Sequence, residues 1–266
     1  MLAEQSQVTN TRQQESSRRV ARAQRILDAA AELILRWGYQ KTTLDDISRQ
    51  AGVAKATIYL HWKTREELFA ALLKREKLEM AEELKQRIAE DPEGATLRGM
   101  LKHSALLLMK RPLLKAVMLR DMEVIGKLAQ SEHSTAAYAE RLEGFKTYLE
   151  LLREQGLVRT NLSTRAQGFI MSAVFLGFFY VAPFMPEEYT ISEDEFVELI
   201  AETVHCTLEP ADGFSVDALQ TASHNFLRYL DHTTTLMQEQ FQQELASWGR
   251  DKSGPNRGKG RTHHEY

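Results

Sequence analysis

Apolar residues recur along most of the chain at intervals of three and four, and no stretch alternates steadily with period two, so the pattern predicts helices throughout. In the first helix, Ile26, Ala29, Ala30, Leu33, Ile34 and Trp37 form one stripe behind Arg18, Arg19, Arg22 and Arg25, and Gly38 ends it. Thr43 stands at an N-cap position three residues before Asp46 and opens a short helix from Leu44 to about Gln50. Thr64 caps a helix over 63–77, with Glu66 and Glu67 in its first turn to complement the dipole. A longer helix follows and is broken by the Asp-Pro-Glu-Gly run at 91–94. Later Pro and Gly positions leave helices near 96–110, 113–125, 134–155, 164–182 and 192–208. Residues 215–249 again carry apolar residues at helical spacing, although Thr233, Thr234 and Thr235 weaken the middle of that segment. The pattern predicts an all-α protein with short connections and no internal repeat.

Residues 44–61 describe two short helices meeting at a tight turn. Ile47, Ala51, Val53 and Ile58 supply inward contacts, Ser48 is small where the second helix crosses, and Gly52 sits where the chain must reverse with positive φ. This is the pattern of a helix-turn-helix. With Ile58 pointing inward and 100° per residue, Ala56 and Leu60 point outward, and Lys55, Thr57 and Tyr59 lie on the flanks. Alkyl groups suit thymine methyls and Lys55 suits guanine O6 or N7 in a major groove, while Thr57, Tyr59, His61 and Lys63 suit phosphates. A Tyr-x-His-Trp cluster alone would read as local core with an idle histidine, and Trp62 keeps that reading.

Charge sharpens the picture. The net charge of −3 hides a split. Residues 18–77 carry 13 basic and 7 acidic side chains, whereas residues 78–249 carry 15 and 26. A basic amino-terminal module on an acidic body points to a polyanion partner for the first part alone.

The stretch from Ile26 to Leu73 resembles the DNA-binding domain of TetR-type bacterial transcriptional regulators. The resemblance runs without a gap from Gly38 through Thr42-Thr43, Ala51-Gly52-Val53, Thr57-Ile58-Tyr59 and His61-Trp62-Lys63 to Glu67-Leu68. It implies a homodimer whose two recognition helices enter successive major grooves of a near-palindromic operator. Position by position, it implies that Thr43 holds phosphate, that Lys55, Ala56 and Thr57 face base edges or their neighbours, and that Tyr59, His61 and Lys63 grip the backbone. Leu60, also placed on the DNA side, stands where the family commonly has an aromatic residue, and Ala54 stands where it often has a hydroxyl cap.

The resemblance further implies a mechanism: a small ligand enters among the middle helices, displaces the helix near 65–77 and spreads the recognition helices. Met109, Met118, Phe145, Phe175, Phe178 and Phe179 are the candidate lining, suited to an apolar, aromatic or acyl ligand, although each also fits an ordinary core. The apolar helix Phe169 to Val181 and the helix Phe196 to Leu208 correspond by order to the family's dimer seam. The expected organisation is a disordered tail over 1–17, the DNA-binding domain over 18–66, a ligand-binding and dimerisation domain over 67–210, a helical extension over 211–249 beyond the usual family length, and a basic disordered tail over 250–266.

Other function classes find little support. The uncharged run Gly168 to Pro186 raises the question of a membrane span, but Ser172, Gly177 and Pro183 interrupt it and no basic cluster flanks it, so a buried helix or an oligomer seam is expected and no membrane partner. One cysteine, Cys206, excludes an internal disulfide and a thiolate metal cluster. The first residues lack the apolar core of a signal peptide, and the cytoplasm is the expected compartment. No His-Glu-x-x-His, Cys-x-x-Cys or strand-linked Gly-x-Gly-x-x-Gly is present, and Gly254 to Gly260 has the wrong spacing for a phosphate loop. His263 and His264 in a polar tail are not read as a metal site. No catalytic residue, metal or cofactor is therefore expected. The reading is a sequence-specific repressor released by an apolar ligand. An architectural or cell-division DNA-binding protein of the same fold is the alternative, and a helical enzyme a distant one.

Overall fold

The computed structural model describes residues 2–119, 121 and 135–247, with side chains over 14–119, 121 and 143–246. Ten α-helices lie among the described residues, and no strand. They are α1 (Leu2–Trp37), α2 (Leu44–Gln50), α3 (Lys55–Tyr59), α4 (Arg65–Glu90), α5 (Leu97–Met109), α6 (Pro112–Met118), α7 (Thr135–Glu154), α8 (Thr164–Val181), α9 (Glu193–Leu208) and α10 (Val216–Ser247). Two 3₁₀ turns, Ala182–Phe184 and Glu187–Tyr189, join α8 to α9.

The amino-terminal domain closes because α1 lays Ile26, Leu27, Ala30, Leu33 and Ile34 against Ile47 of α2, Ile58 of α3, and Leu68 and Leu72 of α4. At roughly 1.5–3 kcal/mol for each large side chain removed from water, this shared core is what the short α2 and α3 depend on, since helices of seven and five residues are not stable alone. Tyr39 stands edge-on to Phe69 at 4.8 Å, and Arg65 lies over the Tyr39 ring at 4.2 Å. Arg65 also donates to the carbonyls of Tyr39 and Thr42, at 3.4 and 3.2 Å, which ties the loop after α1 to the start of α4.

The body packs α4, α5, α6, α8 and α9, with α5 and α9 in the most extensive pairing. Buried Glu209 accepts from the Arg98 backbone N–H at 2.9 Å and pairs with His205 at 2.8 Å, so it serves the open amino end of α5 from the end of α9. Buried Tyr148 donates to the Thr96 carbonyl at 2.9 Å, and burial pushes its hydroxyl well above the ordinary tyrosine range.

Four sequence expectations need correction. Residues 2–17, expected as a disordered tail, continue α1 as helix, because no Gly or Pro interrupts positions 2–37. Trp37 is 43% exposed and leaves the α1 stripe, since Gly38, at φ 77°, turns the chain before the tryptophan can reach the core. The two helices expected over 63–90 form the single α4. The helix expected over 113–125 ends at Met118, and residues 122–125 lie outside the described residues. So does the basic tail over 250–266.

Candidate nucleic-acid interface

The surface built by α2 and α3 starts from a reciprocal cap. The Thr43 hydroxyl accepts the Asp46 backbone N–H at 3.2 Å and donates to the Asp46 carboxylate at 2.6 Å, while that carboxylate accepts the Thr43 N–H at 3.3 Å. The Thr43 hydroxyl is the main reason that the Asp46 carboxyl sits below its ordinary range. The helix therefore begins at a fixed angle, with Thr43 itself exposed.

At the other end of α2 the chain reverses through a Schellman motif. The Gly52 N–H donates to Arg49 O at 3.3 Å and the Val53 N–H to Ser48 O at 2.9 Å, with Gly52 at φ 63°. Ser48 is buried where the two helices cross. The second helix has no side-chain cap, because Ala54 lacks the hydroxyl that Thr43 and Thr64 supply to their helices.

The inward and outward faces of α3 separate cleanly. Ile58 and Trp62 are fully buried, while Lys55, Ala56, Tyr59 and Leu60 are exposed, Tyr59 to 46% and Leu60 to 52%. Thr57 is half-buried at the flank, and Lys63 is exposed at the start of the following turn. An alkyl patch, a phenol and two ammonium groups thus share one outward surface.

One expected contact is misplaced. His61 is buried, not exposed as a phosphate grip requires, because the turn after Tyr59 swings its ring beside Trp62, with centroids 5.3 Å apart. Burial, aided by the nearby Arg22 and Arg19 guanidiniums, lowers its imidazole to about 4, and Nδ1 has no hydrogen-bond partner among the described residues. His61 is a neutral wedge between the recognition helix and α1.

One partner was not legible. Lys55 pairs with Asp45 of α2 at 2.7 Å, and this carboxylate is the main reason that its ammonium is held above the ordinary lysine range. Both side chains are exposed, so the pair is a surface contact that a phosphate or guanine can replace. Ten residues separate the two, and only the α2–α3 crossing brings them together.

Among the described residues, the expected ligand lining is divided between two grooves and the core. Phe178 borders an open groove of about 490 Å³ between the end of α8 and the start of α9, with Val174, Met185, Ile191 and Phe196. Phe145 borders another of about 590 Å³ between α7 and α8, with Leu149, Phe169 and Leu176 on its apolar walls and Glu143, Lys146 and Arg165 on its polar ones. Phe179 is buried and packs on Phe175, with ring centroids at 5.3 Å, and on Phe196 at 5.1 Å. Met109, Met118 and Phe175 are half-buried against the core and border neither groove. Helical spacing placed these six residues on faces, and the packing of α8 on α9 divided them.

Residues 26–72 match the domain of bacterial regulatory proteins of the tetR family. The HTH-type transcriptional regulator AcrR of Shigella flexneri is 25% identical over 188 residues, which is 67% of this chain and 87% of that protein. Among solved structures, the SmeT–triclosan complex superposes with a TM-score of 0.57 at 24% identity, covering 73% of this chain and 95% of that one. SmeT is the repressor of the Stenotrophomonas maltophilia multidrug efflux pump SmeDEF. FadR of Bacillus subtilis in complex with stearoyl-CoA gives 0.53 at 21% identity, covering 68% and 96%. These two likenesses are of fold. The matched domain, the related regulator and the two-part helical architecture agree: residues 26–72 form a DNA-binding domain of the tetR family, and the chain as a whole is similar to TetR-type helix-turn-helix transcriptional regulators.

Proposed function

We propose that this regulator is a homodimeric repressor that reads a near-palindromic operator through Lys55, Ala56, Thr57 and Leu60, with Thr43, Tyr59 and Lys63 on the phosphates. The observation that carries the reading is the division of α3 and the turn after it, where buried Ile58 and Trp62 fix the helix while the opposite face presents two alkyl groups and a lysine. That chemistry suits base edges in a major groove. Two such surfaces about 34 Å apart would meet half-sites one helical turn apart.

The second copy is read onto the face formed by α8 and the turns that follow it. Phe169 is 75% exposed, Phe184 71% and Tyr189 69%, with Tyr180 and Leu199 exposed on the same two-helix layer. A soluble protein rarely leaves so much apolar surface in water, and this reading explains the uncharged run 168–186 without a bilayer. A membrane span is the weaker reading of α8, which is long and apolar enough by composition, because its other face packs on α7 and α9.

An apolar ligand is read as the releasing signal, displacing α4 from among the middle helices. Support comes from the groove between α7 and α8, whose aromatic and aliphatic walls suit an apolar body, while its polar rim holds Arg165 and a Lys146 already paired with Glu143 at 3.1 Å. Two of the structural relatives are a complex with triclosan and a complex with stearoyl-CoA. The test is selection of bound DNA from random sequence with purified protein at stated salt. An inverted repeat is the expected product, Lys55→Ala should relax its base preference, and Lys63→Ala should weaken all sites alike and lower the salt slope by about one unit. Recovery of no repeat would sink the operator reading.

A further inference from the structure

The helix α10 begins on the body and ends on the DNA-binding domain. Near its start, Phe226 stacks against Tyr148 of α7 with ring centroids 4.3 Å apart. In its middle Asp231 pairs with Lys85 of α4 at 3.1 Å, and near its end Glu244 pairs with Lys74 of α4 at 2.7 Å. The pairs occur in opposite order along the two helices, so α10 runs antiparallel to α4, toward the amino-terminal domain. At 1.5 Å per residue the paired positions span roughly 20 Å on α10 and roughly 17 Å on α4, so the helices stay in register over that length.

The last turns are where the seat is made. Phe241 and Leu245 are fully buried there, and the Lys74 ammonium lies 6.0 Å from the Phe241 ring centroid. Arg19 of α1 donates to the Ala246 carbonyl at 3.1 Å. That carbonyl is one of the last four of α10, which have no partner inside the helix, and the cation complements the negative end of the dipole. Arg19 also acts electrostatically on His61, which follows the recognition helix.

We propose that the last three turns of α10, from Met237 to Ser247, are a latch that seats α1 and the amino-terminal half of α4 on the body, and that the DNA-binding domain changes its orientation only when this latch opens. Without α10 the domain would be held on the body by α4 and by a small contact between α1 and α6. A second helix crossing the same boundary and gripping both α1 and α4 removes the freedom this leaves. The proposal deepens the repressor reading and rests on it only for the consequence at the operator.

Amide hydrogen exchange on the full chain tests it without DNA or ligand. In Phe241→Ser/Leu245→Ser, residues 23–62 should exchange roughly tenfold faster while α9 keeps its rates, because local opening is separable from global unfolding. Arg19→Gln/Lys74→Gln, which leaves the apolar seat intact, should give a smaller acceleration over the same residues and carries the test if the first variant does not fold. Unchanged exchange over 23–62 in a folded variant would overturn the latch. So would equal acceleration in α9, which would report general destabilisation. A failure of the intact chain to select an operator would count against the repressor reading and leave the exchange result standing.

Discussion

His61 offers a test in which its placement by family alignment and its placement in the fold give opposite answers. A neutral imidazole held at about 4 in the folded chain, against about 6.5 when unfolded, takes up less proton than the unfolded chain between those values. Stability is therefore full above about pH 7 and falls as the pH drops through the 6.5–4 window. At about 1.4 kcal/mol per unit, the whole shift sets an upper bound of roughly 3 kcal/mol. Solvent around the neighbouring arginines reduces this to about 1–2 kcal/mol, of which about 1 kcal/mol is lost by pH 5.5. His61→Leu removes the titrating group and the unpartnered Nδ1 while keeping the volume. It should be neutral or stabilising by up to about 1 kcal/mol at pH 7.5 and should lose this share of the acid-side decline. Urea unfolding of both proteins at pH 7.5 and 5.5 measures the difference, and operator titration at pH 7.5 should change less than about threefold. Identical pH slopes, or a tenfold loss of operator affinity in a variant of unchanged stability, would refute the buried, neutral placement.

Three further outcomes follow from the same surface. Gly52→Ala should cost about 1 kcal/mol through its positive φ alone, since nothing lies within 4 Å of the added carbon, and a variant with an unchanged unfolding midpoint would contradict that backbone. Thr43→Ala should cost about 1 kcal/mol by removing the reciprocal cap, whereas Thr43→Ser should recover most of it in the same denaturation assay. Asp45→Asn should tighten binding to random-sequence DNA several-fold at low salt, because Lys55 then meets phosphate without leaving a carboxylate partner. Equal affinity of the two proteins in fluorescence anisotropy would show that the pair does not compete with DNA.

What was legible in the sequence was local. Thr43 with Asp46, Gly52 at the reversal and the burial of Ile58 with Trp62 each follow from spacings of four residues or fewer, where backbone geometry leaves one answer. His61 is instructive because the helical wheel places it only about 60° from Ile58, on the inward side, whereas its side-chain chemistry and the family resemblance pointed it at phosphate. The arginines of α1 that share its pocket are some forty residues away, and no local pattern reports them. The Asp45–Lys55 pair and the scattering of the six lining candidates fail for the same reason. Periodicity fixes the face on which a side chain stands, and tertiary packing fixes what it meets. Residues 2–17 were misjudged differently, because polarity suggested disorder where only Gly or Pro would have broken the helix.

The seams around α4 differ in strength, and that difference decides which parts move together. On the α1 side Arg75 is buried, with Asp28 at 2.5 Å and Gln24 at 3.3 Å, above an apolar layer of Phe69, Leu72 and Ala30. Asp28 is itself largely exposed and Arg75 keeps Glu76 and Glu79 of its own helix at 3.6 Å, so the ion pair contributes about 0–1 kcal/mol and the apolar layer is the main resistance on this side. On the α6 side the link is Glu83 with Arg111 at 2.8 Å, both half-buried, and on the α10 side it is Lys74 with Glu244 and Lys85 with Asp231, each with a solvent-exposed carboxylate. Such pairs contribute about 0–1 kcal/mol each, leaving Phe241 and Leu245 as the main resistance on that side. A displacement of α4 therefore carries α1, and with it α2 and α3, as one piece. Along its length α4 packs more extensively on α10 than on α1 or α6, so the seam closed by Phe241 and Leu245 has to open before the DNA-reading surface can turn.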